Sequence, residues 1–283
     1  MIDISVVIVT YKENLDVLKS CFDSVARSEN VSFELIVVDN GASDATKGLL
    51  SSYEGSKYIR NSKNRGFAAA VNQGILASSG RYVLLLNPDT IFGKDVFARM
   101  LTHLDVDGEV GIASCVIRYP DGELQESIRR FPTLKAWLLT LFKAPHILKK
   151  IKAIDYYMMR DANPYETQDV ESIMGAFMFI RRELIDQIGM LDERYFIWFE
   201  EVDYCKMAHD AGWKIRHYSD VQIEHLKGHA FGKIATLKKQ KWIRTSLRKY
   251  MRKHNGLTPW VILWILTPVF IVLAFLVSII KPK

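Results

Sequence analysis

The chain has 283 residues, 49% hydrophobic and 25% charged, enough for one large α/β core or a core with an appendage. The formal charge of +6 is laid out unevenly: residues 1–225 hold all 32 acidic and 26 basic side chains, whereas the stretch after Glu224 holds 12 basic residues and no acid. The basic character therefore belongs to the tail, which excludes a nucleic-acid-binding body and points to a localised anionic partner. Cys21, Cys115 and Cys205 are odd in number and far apart, as structural thiols in a reducing compartment are.

Residues 4–10 are β-branched and read as a strand, and the opening MIDISVVIVTY lacks the basic n-region of a signal peptide, so the body is expected in the cytosol. Residues 14–28 have helical spacing through Leu15, Leu18, Phe22 and Val25. A second buried strand, 33–38, ends on Asp39; a helix over 43–53, a short strand over 57–60 and an Ala-rich helix over 66–78 follow. Residues 82–86 run without polar alternation into Asn87-Pro88-Asp89, as a strand buried on both faces would. Pro88 cannot donate to a ladder, so this strand should deliver Asp89 to the rim of a sheet, where open α/β sheets place ligands. Strand and helix alternating at this spacing imply a parallel sheet of nucleotide-binding type.

After residue 110 the pattern changes. Residues 110–117, the turn Tyr119-Pro120-Asp121-Gly122 and residues 124–130 suggest a hairpin. Residues 133–165 read as a mobile, partly helical excursion, 170–180 as a strand interrupted by Gly175, 200–211 as a helix stopped by Gly212, and 214–218 as a closing strand. Residues 233–254 form a basic amphipathic helix, with Ile243, Leu247, Tyr250, Met251 and His254 at helical spacing, suited either to an anionic membrane leaflet or to plain solvation. Residues 260–280 carry no charge; they are either a membrane span, a segment broken at Pro268 that dips into one leaflet, or a buried C-terminal helix. The positive-inside rule keeps residues 1–255 on the cytoplasmic side. The expected organisation is a domain over 1–230 in two halves that meet at residue 110, a basic helix over 231–255 and a membrane-associated segment over 256–283.

Four clusters could carry chemistry. Asp39, in VVDNGASDAT, either accepts hydrogen bonds from a ribose or base or caps the next helix. Gly66 and the small residues of NRGFAAAVNQGI admit a nucleotide or merely close packing. Asp89 is a turn carboxylate or a ligand for a cation holding a diphosphate. Glu200 and Glu201 open a helix, where the dipole favours acids whatever their function.

Order and spacing add what single clusters lack. SVVIVTYKE, VVDNGASDAT, NRGFAAAVNQGI, LLLNPDT, IMGAFMFIRR, FEEVDYC…AGW and His225 in EHLKGHA together resemble family 2 glycosyltransferases of the GT-A fold, specifically the bacterial rhamnosyltransferase-like branch, over about residues 3–230. The resemblance implies that Thr10, Tyr11 and Glu13 border the nucleotide, with Asp39 on its base or ribose and Asn64, Arg65, Gly66 and Asn72 along the nucleotide-sugar side. It places Asn87-Pro88-Asp89 at the Asp-x-Asp position, Asp89 and His225 at the Mg²⁺ or Mn²⁺, and Glu201 as catalytic base with Glu200 beside it. Gly175 and Ala176 leave room for sugar and acceptor, and Arg129 and Arg130 contact the donor or an acceptor phosphate, or lie at the surface. Asn87 replaces the first acid of Asp-x-Asp, which makes the metal weak or dispensable; Glu201 replaces an Asp, one methylene longer.

The function so implied is an inverting transfer of L-rhamnose from dTDP-β-L-rhamnose to a glycan on a polyprenyl diphosphate lipid, at the cytoplasmic face of the bacterial inner membrane, with membrane lipids as partners. A UDP-sugar donor (galactofuranose, N-acetylglucosamine or glucose) on the same fold is the alternative. The rival from another class is a non-catalytic nucleotide-binding scaffold subunit.

Overall fold

The computed structural model describes residues 2–148, 150–226 and 236–280. The boundary expected at 230 and the first residues of the basic helix, 233–235, lie outside them. Strands β1 (Ile4–Thr10), β2 (Phe33–Asp39), β3 (Lys57–Arg60) and β4 (Tyr82–Leu86) are parallel, in spatial order β3-β2-β1-β4. Strand β10 (Phe177–Arg181) then runs antiparallel between β4 and β6 (Val110–Arg118). Beyond β6 lies β11 (Lys214–His225), whose outer edge takes β5 (Thr90–Ile91) at one end and β8 (Gln168–Val170) at the other.

Both faces of this sheet are covered. Ile4, Val6, Ile8, Leu84 and Leu86 point to one side, against α1 (Leu15–Ala26) and α4 (Val96–Val106). Val7, Val83 and Leu85 point to the other, against α3 (Phe67–Leu76), α7 (Arg182–Ile188) and α8 (Glu200–Asp210). Side chains alternate along a strand, so a run with both faces buried must be apolar throughout, as 82–86 is. Asn14 caps α1, accepting from the Asp16 and Val17 amides, and Ser43 caps α2 (Asp44–Leu50) through the Thr46 amide. All three cysteines are free and buried, and burial pushes the Cys21 and Cys205 thiols up to about 12.

The expected hairpin is corrected. Both edges of β6 are occupied, by β10 and β11, so the chain after its turn makes one bridge, Arg118 to Leu124, and leaves. Residues Ile128–Arg129 form β7, which pairs with β9 (Ser172–Ile173) in a separate ribbon. The single strand expected over 170–180 is three pieces, β8, β9 and β10, with a turn around Gly175. The closing strand runs past 218 to His225 through a register shift between Tyr218 and Gln222. The excursion over 133–165 contains α5 (Leu134–Leu141), a short 3₁₀ turn and α6 (Lys152–Tyr157), and it docks through Leu141 and Tyr157.

The tail is α9 (Thr236–Tyr250), a π-helical turn over Met251–Asn255, α10 (Leu257–Ile265) and α11 (Thr267–Ile280). Among the described residues no single helix is long and apolar enough to cross a membrane; α10 and α11 together would be, but they bend by 49°. Pro268 sits at the start of α11, where its missing N–H costs nothing. The apolar stripe of α9 is not free for lipid: Leu247, Tyr250 and Met251 pack with Tyr195, Phe199, Val202, Leu263 and Phe270.

At the sheet edge opposite the strand ends just described, Glu34 ties four segments together. Its carboxylate accepts from Ser5 Oγ (2.7 Å) and from the amide (2.6 Å) and hydroxyl (2.8 Å) of Ser79, and pairs with Lys57 (2.6 Å). Burial alone would raise this carboxyl, but Lys57 and the serine donors outweigh it and hold it down to about 2. A depressed folded value adds stability that is present above the ordinary glutamate range and lost as pH falls towards 2. Denaturant unfolding of Glu34→Gln against the parent should show a stability gap that is full at neutral pH and closes between about pH 4.5 and pH 2.

Candidate active site

The parallel register aligns the C-terminal ends of β1, β2 and β4. Thr10 lies opposite Asp39, and Ile8 opposite Leu86, so Tyr11, Asn40 and Asn87 emerge on one rim. Strand β10 completes that rim: Phe177 pairs with Leu86, and the Asn87 amide donates to the Ala176 carbonyl (2.9 Å). Gly175 is then carried against α8, where a Cβ would sit 3.5 Å from Cβ of Glu201. One backbone hydrogen bond and the close approach of Gly175 to the Glu201 side chain thus join Asn87-Pro88-Asp89 to the acid helix.

Beside Asn87, β11 brings His225 opposite Thr90. Asp89 and His225 are both buried, with Oδ1 and Nε2 3.2 Å apart, and Asn87 Nδ2 lies 3.1 Å from the same Nε2. Gln125 Nε2 donates to the His225 carbonyl (2.6 Å), so Gln125 Oε1, 3.0 Å from Nδ1, is free to accept the Nδ1 proton. Nε2 then faces Asp89 Oδ1 and the Asn87 amide, a carboxylate and an imidazole that a cation could bridge. One carboxylate and one imidazole fit a Mg²⁺ or Mn²⁺ whose other ligands come from a diphosphate and water. Among the described residues no group of three or more His, Cys, Asp or Glu could hold a metal unaided.

Glu200 and Glu201 start α8. Each keeps one carboxylate oxygen buried with no hydrogen-bond partner among the described residues. Burial pushes both carboxyls above the usual range; the charge of Glu201 adds to the rise at Glu200, while backbone donors and Arg129 temper it at Glu201. The entry to α8 is strained, because Trp198 and Phe199 both have positive φ (62° and 74°) without being glycine. Packing holds them there: Phe199 lies between the rings of Trp137 and Tyr250, and Ser246 of α9 donates to the Ile197 carbonyl (2.9 Å).

Other expected residues take supporting positions. Asp39 is fully buried and its oxygens accept from the Gly41 and Ser43 amides and from Tyr58 Oη (each 2.7 Å), so it braces its own loop, as a cap would. Asn72 is buried and its side chain is engaged by the Leu191 amide (3.0 Å) and carbonyl (2.8 Å). Gly66, at φ 91°, approaches Phe196 so closely that a Cβ would lie 2.6 Å from its carbonyl oxygen; close packing is what it serves here. Asn64 Oδ1 accepts from the Gly66 amide (2.8 Å), and Arg65 is exposed on the same loop. Tyr11 and Glu13 are half-buried on the rim, and the buried Thr10 hydroxyl and Arg129 Nε have no hydrogen-bond partner among the described residues. Arg130 pairs instead with Asp161 (2.7 Å) and lines a separate cleft of about 530 Å³ at the far end of α8.

Several residues carried no signal in the sequence. Gln125 orients His225 from a turn that looks solvent-exposed. The Asn40–Asn61–Gln73 network ties the 39–43 loop to α3. Asp203, one turn along α8 and fully buried, receives Lys253 (2.7 Å), His254 (2.6 Å) and Tyr195 Oη (3.1 Å), so the tail grips the acid helix. Only the Asp after FEEV hinted at it.

This sheet, with an Asp–His pair on its rim and a buried acid beside Gly175, is that of a GT-A glycosyltransferase. The family model described as Glycosyl transferase family 2 matches residues 5–189, and the chain belongs to that family. Over 211 residues it is 26% identical to an N-acetylglucosaminyl-diphospho-decaprenol L-rhamnosyltransferase of Mycobacterium tuberculosis, covering 70% of this chain and 68% of that one. It is 22% identical over 221 residues to the rhamnosyltransferase WbbL of Escherichia coli, covering 76% and 80%. Its fold is similar to that of the mannosyltransferase PcManGT of Pyrobaculum calidifontis, solved with GDP-Man and Mn²⁺, at a TM-score of 0.60 and 15% identity over 99% of this chain and 76% of that one.

Replacing Asn72 by Ala strands the buried Leu191 amide and carbonyl, which should cost about 2 kcal/mol of stability in chemical denaturation. The rise in melting temperature with a nucleoside diphosphate should persist, because the Asn72 side chain is engaged by Leu191.

Proposed function

We propose that this family 2 glycosyltransferase is an inverting hexosyltransferase that moves L-rhamnose from dTDP-β-L-rhamnose to a lipid-linked glycan. The observation that carries the reaction class is Glu201: its carboxylate is buried, raised in basicity and beside Gly175, one short turn from the rim that holds Asp89. In the transfer, Glu201 takes the proton from an acceptor hydroxyl as that oxygen bonds to the anomeric carbon. The bond from that carbon to the diphosphate breaks on the opposite face, and the electron pair leaves with the nucleoside diphosphate. Asp89 and His225 would hold a Mg²⁺ or Mn²⁺, which supplies positive charge to the leaving diphosphate. Arg129, whose buried Nε has no partner among the described residues, lies close enough for its charge to lower the Glu201 carboxyl. Rhamnose is favoured by the two rhamnosyltransferases among the relatives, and a lipid diphosphate acceptor by the name of the first.

The same reading places the enzyme on the cytoplasmic leaflet. Leu257, Trp264, Ile265, Val272 and Phe275 are exposed along α10 and α11, while Leu263, Phe270 and Ala274 are buried against the protein. Helices with one side packed on protein and a 49° break suit a segment dipping into one leaflet better than a span surrounded by lipid. Exposed Lys238, Lys241 and Arg252 flank it with no acid, which complements an anionic surface.

Glu201→Gln should abolish transfer while retaining the rise in melting temperature with dTDP. Parent activity should climb with pH through a limb above the ordinary carboxylate range, because the base must ionise. The raised folded value also means that the parent loses stability as Glu201 ionises, so Glu201→Gln should be the more stable protein at neutral pH. Normal turnover by this variant would remove the base assignment, and a larger shift with UDP than with dTDP would move the donor to a UDP-sugar.

Flotation on phosphatidylcholine vesicles should be weak and should strengthen with phosphatidylglycerol. Trp264→Glu with Ile265→Glu should abolish it.

A further inference from the structure

Three cations meet where α5, α9 and the α10–α11 break come together. Arg244 is only 6% exposed, and its Nη1 is buried with no hydrogen-bond partner among the described residues. One turn along α9, Arg248 donates through Nη1 to Thr267 Oγ1 (2.8 Å) at the break itself. Lys143, in the left-handed conformation at φ 63°, follows the end of α5 and adds a third positive charge. Arg244 and Arg248 line a crevice that is closed to a water molecule in this structure, its other walls being Leu141, Leu247, Leu263, Thr267 and Phe270.

No carboxylate answers these charges. None of the three enters an ion pair among the described residues, and the undescribed stretches contain no Asp or Glu. Burial lowers the proton affinity of all three, and the neighbouring charges lower it further, Arg244 acting on Lys143 and Arg248 on Arg244. A guanidinium removed from water without a counter-ion is costly, and the cost disappears when an anion completes the site. An Arg–Arg pair suits the several oxygens of a phosphate, which it can bind by parallel hydrogen bonds.

The surroundings narrow the source of that phosphate. The crevice is walled by the two helices whose outer faces carry exposed apolar side chains. It is also one helical turn of α5 from the acid helix: Leu141 lines it, and Trp137, four residues earlier, packs at a tilt against Phe199 next to Glu200. We propose that Lys143, Arg244 and Arg248 form a binding site for a lipid-borne phosphate, with the half-exposed Lys143 and Arg248 as its accessible members. Building on the lipid-linked reading above, the site would anchor either the diphosphate of the acceptor lipid or a headgroup of the surrounding bilayer.

Arg244→Gln and Lys143→Gln test the site, by flotation and by kinetics. If the acceptor diphosphate binds there, each variant raises KM about tenfold or more for a polyprenyl-diphosphate glycan, and the penalty vanishes for the same glycan on a neutral alkyl chain. If a headgroup binds there, the variants instead weaken flotation on vesicles containing phosphatidylglycerol and leave flotation on phosphatidylcholine as it was. Without lipid, Arg244→Gln should melt no lower than the parent, since it removes an uncompensated buried charge; a purely structural arginine would give a clear drop. Unchanged KM together with unchanged flotation would overturn the proposal. So would a lower melting temperature in Arg244→Gln with unchanged lipid behaviour in Lys143→Gln. Flotation needs no turnover, so a parent inert towards every donor would remove the transferase reading and still leave this site tested.

Discussion

The arrangement of this site depends on one strand placed against the run of the others. Strand β10 enters antiparallel between β4 and β6, with Phe177 opposite Leu86 and the Asn87 amide on the Ala176 carbonyl. Without that register, the turn at Asp89 and the acid at Glu201 would belong to separate halves of the chain with no fixed distance between them. With it, the turn before β10 is clamped to the end of β4, and Gly175 presses on Glu201. Transfer chemistry needs a base and a charge-compensating group held rigidly across a reacting carbon, and a backbone ladder is stiffer than any pair of side chains.

Around this clamp the protein maintains charges that water would otherwise screen. Two glutamates sit buried at the entry to α8, and burial raises their basicity, the charge of Glu201 adding to the rise at Glu200. The Asp89–His225 pair is oriented by Gln125 from behind. Such groups are retained at sites because each is incomplete until a ligand arrives, and the strained backbone at Trp198 and Phe199 belongs to the same pattern. Aromatic packing from α5 and α9 keeps that strain from relaxing.

The tail is therefore part of the catalytic domain. Lys253 and His254 reach Asp203 beneath the acid helix, Ser246 holds the backbone before it, and Leu247 and Tyr250 close the core below. The outer face of the next two helices is apolar and acid-free. One element thus touches both the chemistry and the side on which a lipid would lie.

Much of this was readable in one dimension. The alternation of strands and helices, the Asn87-Pro88-Asp89 turn at the end of an uninterrupted apolar run, and the acids at 200 and 201 are local patterns, and local patterns follow from side-chain period and backbone chemistry. The separate roles of Asp39 and Asn72 were not readable, because a buried polar residue looks the same in sequence whether it meets a ligand or a backbone amide 119 positions away. Nor was the failed hairpin after β6, whose edges were taken by strands that come later in the chain. The same holds for Gln125 behind His225, for Asp203 under the tail and for three unanswered cations at the bend of α10 and α11. The sequence by itself determined the class of fold and the chemical types at the rim, since these are written in neighbouring residues. Only the tertiary structure decided which polar groups are paired and which are left open, because pairing depends on distance across the fold.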